Sequence, residues 1–121
     1  MDAFRFENLE IWKDGIEISD NLFDIADRAE SRRHFRFAEQ LRASTMSITN
    51  NIAEGSGSFS DKEFASFLNI SRRSLFECVN ILHIYKRRNI IDVKERDDLI
   101  DKLKPLSKKI TNFRKSLISN K

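Results

Sequence analysis

The sequence predicts an all-α fold, an antiparallel up-down-up-down four-helix bundle, on three observations. Four segments repeat apolar or small residues at alternating spacings of four and three, the period of a helix face packed on its neighbours. No segment sustains the period-two alternation of a half-buried strand. Only 3 glycines and 1 proline punctuate the 121 residues. Long helices with short connections are therefore expected, and short connections make successive helices antiparallel.

Residues 1–7 read as an N-terminal arm whose Phe4 and Phe6 need an apolar surface to pack on. The first segment then carries Ile11, Gly15, Ile18, Leu22, Ile25 and Ala29. The run Glu30-Ser31-Arg32-Arg33-His34 separates it from the second, which carries Phe37, Leu41, Ser44, Ile48 and Asn51, with Ile52 alongside. Gly55 is expected to close this helix in the left-handed conformation, which costs glycine no Cβ clash. Ser60 and Glu63 have the capping-box spacing that opens the next helix.

The third segment carries Phe64, Phe67, Leu68, Ser71, Leu75, Cys78, Leu82 and Tyr85. Off that seam it adds Ile70, Phe76, Val79, Ile81 and Ile84, more apolar surface than one seam of a small bundle uses. Self-association through this surplus is expected. Lys86-Arg87-Arg88 supplies cations at the helix C-terminus, where the macrodipole favours them, and Asn89 is placed to be a left-handed cap. Asp92 and Glu95 open the fourth helix, whose seam is Leu99, Leu103, Leu106, Ile110, Phe113 and Leu117. Pro105 lies inside it and cannot donate to the Asp101 carbonyl, so a kink is expected. Residues 1–121 read as one domain, long enough to bury a core without staples.

Composition narrows the function. Charged residues make up 34% and hydrophobic ones 40%, a balance that argues against disorder. Cys78 is the only cysteine, so no intrachain disulfide forms and a reducing cytoplasm fits best. No apolar run approaches the roughly 20 residues needed to span a bilayer. The opening Met1-Asp2-Ala3-Phe4-Arg5 lacks a basic-then-apolar leader pattern. A cytoplasmic protein without membrane contact is expected. The net charge of +3 is uneven: residues 1–60 hold seven Lys/Arg against eleven Asp/Glu, and residues 61–121 hold fifteen against eight. A basic half fits a polyanionic partner, although a solvated helical surface has the same composition.

No catalytic, cofactor or metal site is expected. Cys78 has no cation one turn away to lower its pKa and reads as a small apolar core residue. His34 and His83 lack partners at metal-ligand spacing. Gly55-Ser56-Gly57 has neither the lysine nor the preceding strand of a phosphate loop. Arg28 and His34 have a spacing found in some helical-bundle ribonucleases, an enzymatic reading weighed against a plain exposed loop. Arg42, Asn51, Glu54 and Glu77 read as a structural polar layer that fixes helix register, with Arg42 paired to Glu54 or Glu77, rather than as a ligand pocket.

The candidate nucleic-acid-binding residues are Arg72 and Arg73 in the third helix, Lys86, Arg87 and Arg88 at its end, and Lys104, Lys108, Lys109 and Lys115 in the fourth. Lys104, Lys108 and Lys115 form one stripe opposite the apolar seam; Lys102 and Lys109 flank it. Such cations neutralise phosphates without reading bases. No aromatic is interleaved with them in a stacking pattern, so sequence-specific single-strand recognition is not indicated. Asp97 and Asp101 precede the lysines, and a helix dipole favours that order with no ligand at all.

Several blocks also resemble a known family. Phe6-Glu7-Asn8-Leu9-Glu10-Ile11-Trp12-Lys13 is similar to the opening of the four-helix-bundle proteins encoded in 23S rRNA intervening sequences. Gln40-Leu41-Arg42-Ala43-Ser44, Ser47-Ile48 and Asn51-Ile52-Ala53-Glu54-Gly55 are similar to that family's central signature. Lys62-Glu63-Phe64, Phe67-Leu68 and Ser74-Leu75 with Glu77 are similar to its third helix. The resemblance spans about Phe4 to Leu117. The chain departs from the family pattern at Thr49-Asn50, where Pro-Ser is usual, at Arg28–His34, which replaces a Phe-Pro turn, and at Pro105. The resemblance implies a ring of four-helix bundles, commonly a pentamer, with no established enzymatic activity. A more distant resemblance is to the accessory variability proteins of retroelements, basic barrels that bind nucleic acid and a reverse transcriptase; these lack the Asn-Ile-Ala-Glu-Gly block. The expected function is a non-enzymatic homo-oligomer that associates with nucleic acid without sequence specificity. The alternatives are a structural or protein-binding oligomer and a ribonuclease using Arg28 and His34.

Overall fold

Capping residues divide the chain into four helices. The computed structural model describes residues 3–119 and contains α1 (Glu10–Ser31), α2 (Phe35–Ser56), α3 (Asp61–Arg87) and α4 (Val93–Ile118), preceded by a 3₁₀ turn at Arg5–Asn8. No strand occurs among the described residues.

α1 and α3 end in the same way. The second residue past each helix has a positive φ, 68° at Arg33 and 60° at Asn89. The following amide reaches back into the helix, His34 N–H to the Ala29 carbonyl and Ile90 N–H to the Tyr85 carbonyl, both at 2.9 Å. This closure satisfies carbonyls that the helix end would otherwise orphan. Asn89 takes the left-handed role read from the sequence. Ser60 Oγ accepts the Glu63 N–H at 3.1 Å to open α3. α4 opens with a reciprocal box: Asp92 Oδ1 accepts the Glu95 N–H at 2.8 Å, and Glu95 Oε1 accepts the Asp92 N–H at 3.1 Å.

Gly55 corrects one expectation. It lies inside α2, and no described glycine has a positive φ. A Cβ built there would stand 2.7 Å from Phe67 Cβ and 2.8 Å from Phe64 Cδ1. The glycine is needed because α3 crosses too closely for any side chain. α4 continues through Pro105 as one helix; Pro105 and Asp101 are both exposed, so water can meet the carbonyl that the proline leaves unbonded.

One cluster of buried residues joins all four helices, among them Leu22, Leu41, Ile52, Leu75, Leu82 and Leu103. α2 packs on α1 and α3, and α4 packs on α3 and back on α1. Two buried hydroxyls are satisfied by main-chain carbonyls: Ser19 Oγ donates to the Gly15 carbonyl, and Ser71 Oγ donates to the Ile48 carbonyl of α2, each at 2.7 Å; the Ser58 hydroxyl is buried without a partner among the described residues. Ile18 and Asn51, read as seam positions, are only half-buried, while Ser19, Ala26, Ala38 and Thr45 fill the seam beside them.

The N-terminal arm, whose first two residues lie outside the described residues, folds back on its own chain. Phe6 packs edge-on against Trp12 with ring centroids 5.2 Å apart, and the Arg5 guanidinium lies 5.0 Å from the centre of the Phe64 ring. Phe4 stacks on Phe6 and stays 74% exposed. Of the surplus apolar residues of α3, Ile81 is buried and Val79 half-buried, while Ile70 (44%), Phe76 (52%) and Ile84 (38%) remain exposed. No helix among the described residues is long and apolar enough to cross a membrane.

Candidate nucleic-acid interface

The cations separate into those committed within the chain and those that are free. Lys109, one of the candidates, belongs to the first group. Its Nζ donates to Glu10 Oε1 at 2.7 Å and to Asp14 Oδ2 at 2.9 Å. The bonds to Glu10 and then to Asp14 hold its pKa above the usual lysine range. It sits on the flank of α4 that faces α1, not on the outer stripe. Arg28 pairs with Glu95 at 2.7 Å, Lys94 with Asp98 at 2.8 Å and Arg96 with Asp97 at 3.0 Å. Arg32 donates to the carbonyls of Asn89 and Ile90, and Arg114 to that of Ala65.

Lys104, Lys108 and Lys115 are exposed and, among the described residues, carry no ion pair or hydrogen bond. At about 100° per residue they fall within roughly 40° of one another on α4, opposite Leu103, Leu106 and Ile110. Arg73 and Arg87 of α3 and Arg88 just past its end are likewise exposed and unpaired among the described residues, and Lys86 is half-buried. Lys86 lines a cleft with Arg28 and Arg32 around the Asn89–Glu95 connection.

α3 carries a second stripe that the sequence reading missed. Asn69, Arg73, Phe76, Asn80, His83 and Arg87 recur at spacings of four and three on its outer face. All are exposed except the half-buried Asn69. Arg72 flanks the stripe, and its guanidinium lies 4.5 Å from the centre of the Phe76 ring. The available signal was this repeat, offset from the core seam. Counting Phe76 only as surplus apolar surface concealed an aromatic interleaved with cations.

The polar layer does not form. Arg42 bonds to α1 instead, with Nη2 to Asp27 Oδ1 at 2.7 Å and Nη1 to Glu30 Oε1 at 2.8 Å; these bonds raise its pKa, Asp27 contributing most. Nine residues separate Arg42 from Asn51, about 900° or half a turn out of phase, so they occupy opposite flanks of α2. Asn51 Nδ2 donates to the Ser47 carbonyl and to Ser47 Oγ, at 2.8 and 2.9 Å. Ser47 Oγ lies 2.7 Å from Ser74 Oγ, and Ser74 Oγ donates to the Ile70 carbonyl. Because Ser74 uses its proton there, Ser47 is the donor between them. Glu54 and Glu77 are exposed and, among the described residues, have no ion-pair partner.

The remaining reactive groups are occupied. Cys78 is fully buried, and burial pushes its thiol up to about 12. Arg28 is not in an exposed loop but in α1, held by Glu95 and by the Ile90 carbonyl at 3.4 Å. His34 lies stacked on Phe37 with ring centroids 5.7 Å apart. Among the described residues no three His, Cys, Asp or Glu side chains converge as a metal site.

A comparison with curated proteins finds no match. The profile of the family described as 23S rRNA-intervening sequence protein matches residues 7–112. That span covers α1, α2 and α3 entire and most of α4, including both cationic stripes up to Asn112. The chain therefore belongs to the 23S rRNA-intervening sequence protein family.

Proposed function

We propose that the protein is a non-enzymatic, cytoplasmic homo-oligomer that associates with nucleic acid, RNA or DNA, without sequence specificity. The observation that carries this reading is a set of exposed cations unpaired among the described residues, Arg73 and Arg87 on α3, Arg88 just past its end, and Lys104, Lys108 and Lys115 on α4. Phosphates are the partners that such a surface neutralises without base contacts. The lone buried Cys78 suits a reducing compartment.

In this reading the helices run up-down-up-down. Glu10 and Asp14 early in α1 meet Lys109 late in α4, while Arg28 late in α1 meets Glu95 early in α4. Copies assemble into a ring, a pentamer by family resemblance, with exposed Ile70 and Ile84 available for apolar contact between subunits. A ring repeats each phosphate contact, and every further contact is intramolecular.

The test is a titration of the full chain against duplex DNA, structured RNA and single strands across a range of salt. Changing Lys104, Lys108 and Lys115 together to Glu should weaken binding to all of them about equally. A parent protein that binds none of them at low salt would transfer support to the structural or protein-binding oligomer. The ribonuclease reading draws little support from the side chains, since Arg28 is tied to Glu95 and His34 lies against Phe37.

A further inference from the structure

The geometry points to unpaired, single-stranded nucleic acid as the ligand of the outer face of α3, with the Phe76 ring stacking on a base. This rests on the nucleic-acid reading above and narrows it to a substrate class and a site.

Phe76 is 52% exposed in the middle of a stripe whose other members are Asn69, Arg73, Asn80, His83 and Arg87. An isolated exposed ring needs no explanation by itself. This ring, however, is held by the Arg72 guanidinium at 4.5 Å, a cation–π contact that orients it. Ring and guanidinium are both planar surfaces on which a base stacks. Arg73 stands three residues before Phe76 and Arg87 eleven after it, about 21 Å apart along the helix, placed to hold phosphates on either side. Asn69, Asn80 and His83 supply side chains that hydrogen-bond base edges.

The carboxylate nearest the stripe is Glu77, turned about 100° from Phe76 and one turn beyond Arg73, with no ion pair to it among the described residues. A duplex keeps the faces of its bases inside the stack, so only unpaired bases can use such a platform. The α4 stripe differs in kind: it is lysine without an aromatic, and it neutralises phosphates whatever their pairing. A second copy of the chain is the other way to cover Phe76. A two-fold contact through this face would set Arg72, Arg73 and Arg87 against their own equivalents; in a ring the face would meet a different surface of the neighbour, and the oligomer mass of Phe76→Ala separates that case. Ile70 and Ile84 lie some 80–120° round the helix from Phe76, so assembly through them leaves the ring itself clear, although Arg73, about 60° from Phe76 on the same side, borders that contact.

The experiment measures fluorescence anisotropy at low salt with the full chain, a labelled oligouridine of about 20 nucleotides and an RNA duplex of the same length. The proteins are the parent, Phe76→Ala, Phe76→Trp and the Lys104/Lys108/Lys115 triple Glu variant, each checked by circular dichroism and light scattering. Phe76→Ala should weaken single-strand binding about tenfold and leave duplex binding within about twofold, with oligomer mass unchanged. Phe76→Trp should keep single-strand affinity, and the new indole's emission should drop on binding. If Phe76→Ala changes neither ligand, or both equally, the stacking site is overturned. If it instead lowers the oligomer mass, the face is a contact between copies and the inference falls. A parent that binds neither ligand removes the underlying nucleic-acid reading. A parent that binds both, weakened only by the triple variant, keeps that reading and removes this one.

Discussion

The Tyr85 hydroxyl donates a 2.7 Å hydrogen bond to the main-chain carbonyl of Phe37, tying the last turns of α3 to the first turn of α2. Burial raises this phenol from 10.0 to about 12, and it raises the Cys78 thiol from 9.0 to about 12. Both groups are neutral when protonated, so the folded chain keeps protons that the unfolded chain releases nearer pH 9 to 10. Stability from these two groups is therefore fully present below about pH 9 and lost as pH rises towards 12. Urea midpoints should hold steady from neutral pH to about 9 and then fall. Tyr85→Phe should cost about 1 kcal/mol at neutral pH and flatten that alkaline decline. An unchanged decline in the variant would place its cause in other groups. Cys78 should resist thiol reagents until the chain unfolds.

Gly55 and Gly15 should respond differently to alanine. At Gly55 the new methyl would meet Phe67 Cβ at 2.7 Å, an atom that cannot move without the backbone of α3. At Gly15 it would meet the Thr49 methyl at 2.8 Å, which a side-chain rotation can displace, and helix propensity would gain up to about 1 kcal/mol. Gly55→Ala should therefore destabilise by about 1–3 kcal/mol, and Gly15→Ala by clearly less. Chemical denaturation of the two variants decides this, and the reverse order would contradict the assigned close approach.

The helix count, the seams and the caps at Asn89 and Asp92 were legible because each is a local pattern: a period, or a residue type at a fixed offset. What failed was long-range. Gly55 looked like a terminator because the sequence gives φ no third dimension; its role comes from Phe64 and Phe67 of another helix. Arg42 found Asp27 and Glu30 rather than Glu54 or Glu77 because partner choice depends on which flank of α2 faces α1. The same limit hid the commitment of Lys109 to Glu10 and Asp14, nearly a hundred residues away in sequence. Phe76 was legible as an apolar residue, but its exposure and the position of Arg72 over its ring were not.

The exposed Ile70 and Ile84 of α3 give the self-association reading a direct check. The parent should scatter light as a multiple of 14.2 kDa at micromolar concentration. Replacing both isoleucines with Glu should shift it towards the single-chain mass while leaving the helical signal unchanged, because both side chains are already in solvent in the lone chain. Their removal from an apolar contact would cost about 1.5–3 kcal/mol each, enough to shift a micromolar equilibrium strongly. A single-chain mass for the parent would end the oligomer reading. An assembled parent unaffected by the double change would move the interface to another face.

Lys109 and the outer lysines of α4 offer the sharpest contrast for the nucleic-acid reading, because they share a helix and a residue type but not an environment. Lys109 is engaged by Glu10 and Asp14; Lys104, Lys108 and Lys115 face solvent opposite the core. A phosphate approaching Lys109 meets two carboxylates that repel it, whereas one approaching the outer stripe meets three cations and, among the described residues, no ion pair to break. Lys109→Ala should leave nucleic-acid affinity and its salt dependence close to those of the parent. The triple change to Glu should lower affinity for every sequence and flatten the slope of log affinity against log salt, by up to about 3 for three lost phosphate contacts on a duplex. The comparison controls for helix integrity, since both variants alter α4 at exposed or half-exposed positions. If Lys109→Ala weakens binding as much as the triple variant, the effect is one of net charge rather than of a surface, and the stripe loses its claim to be the contact.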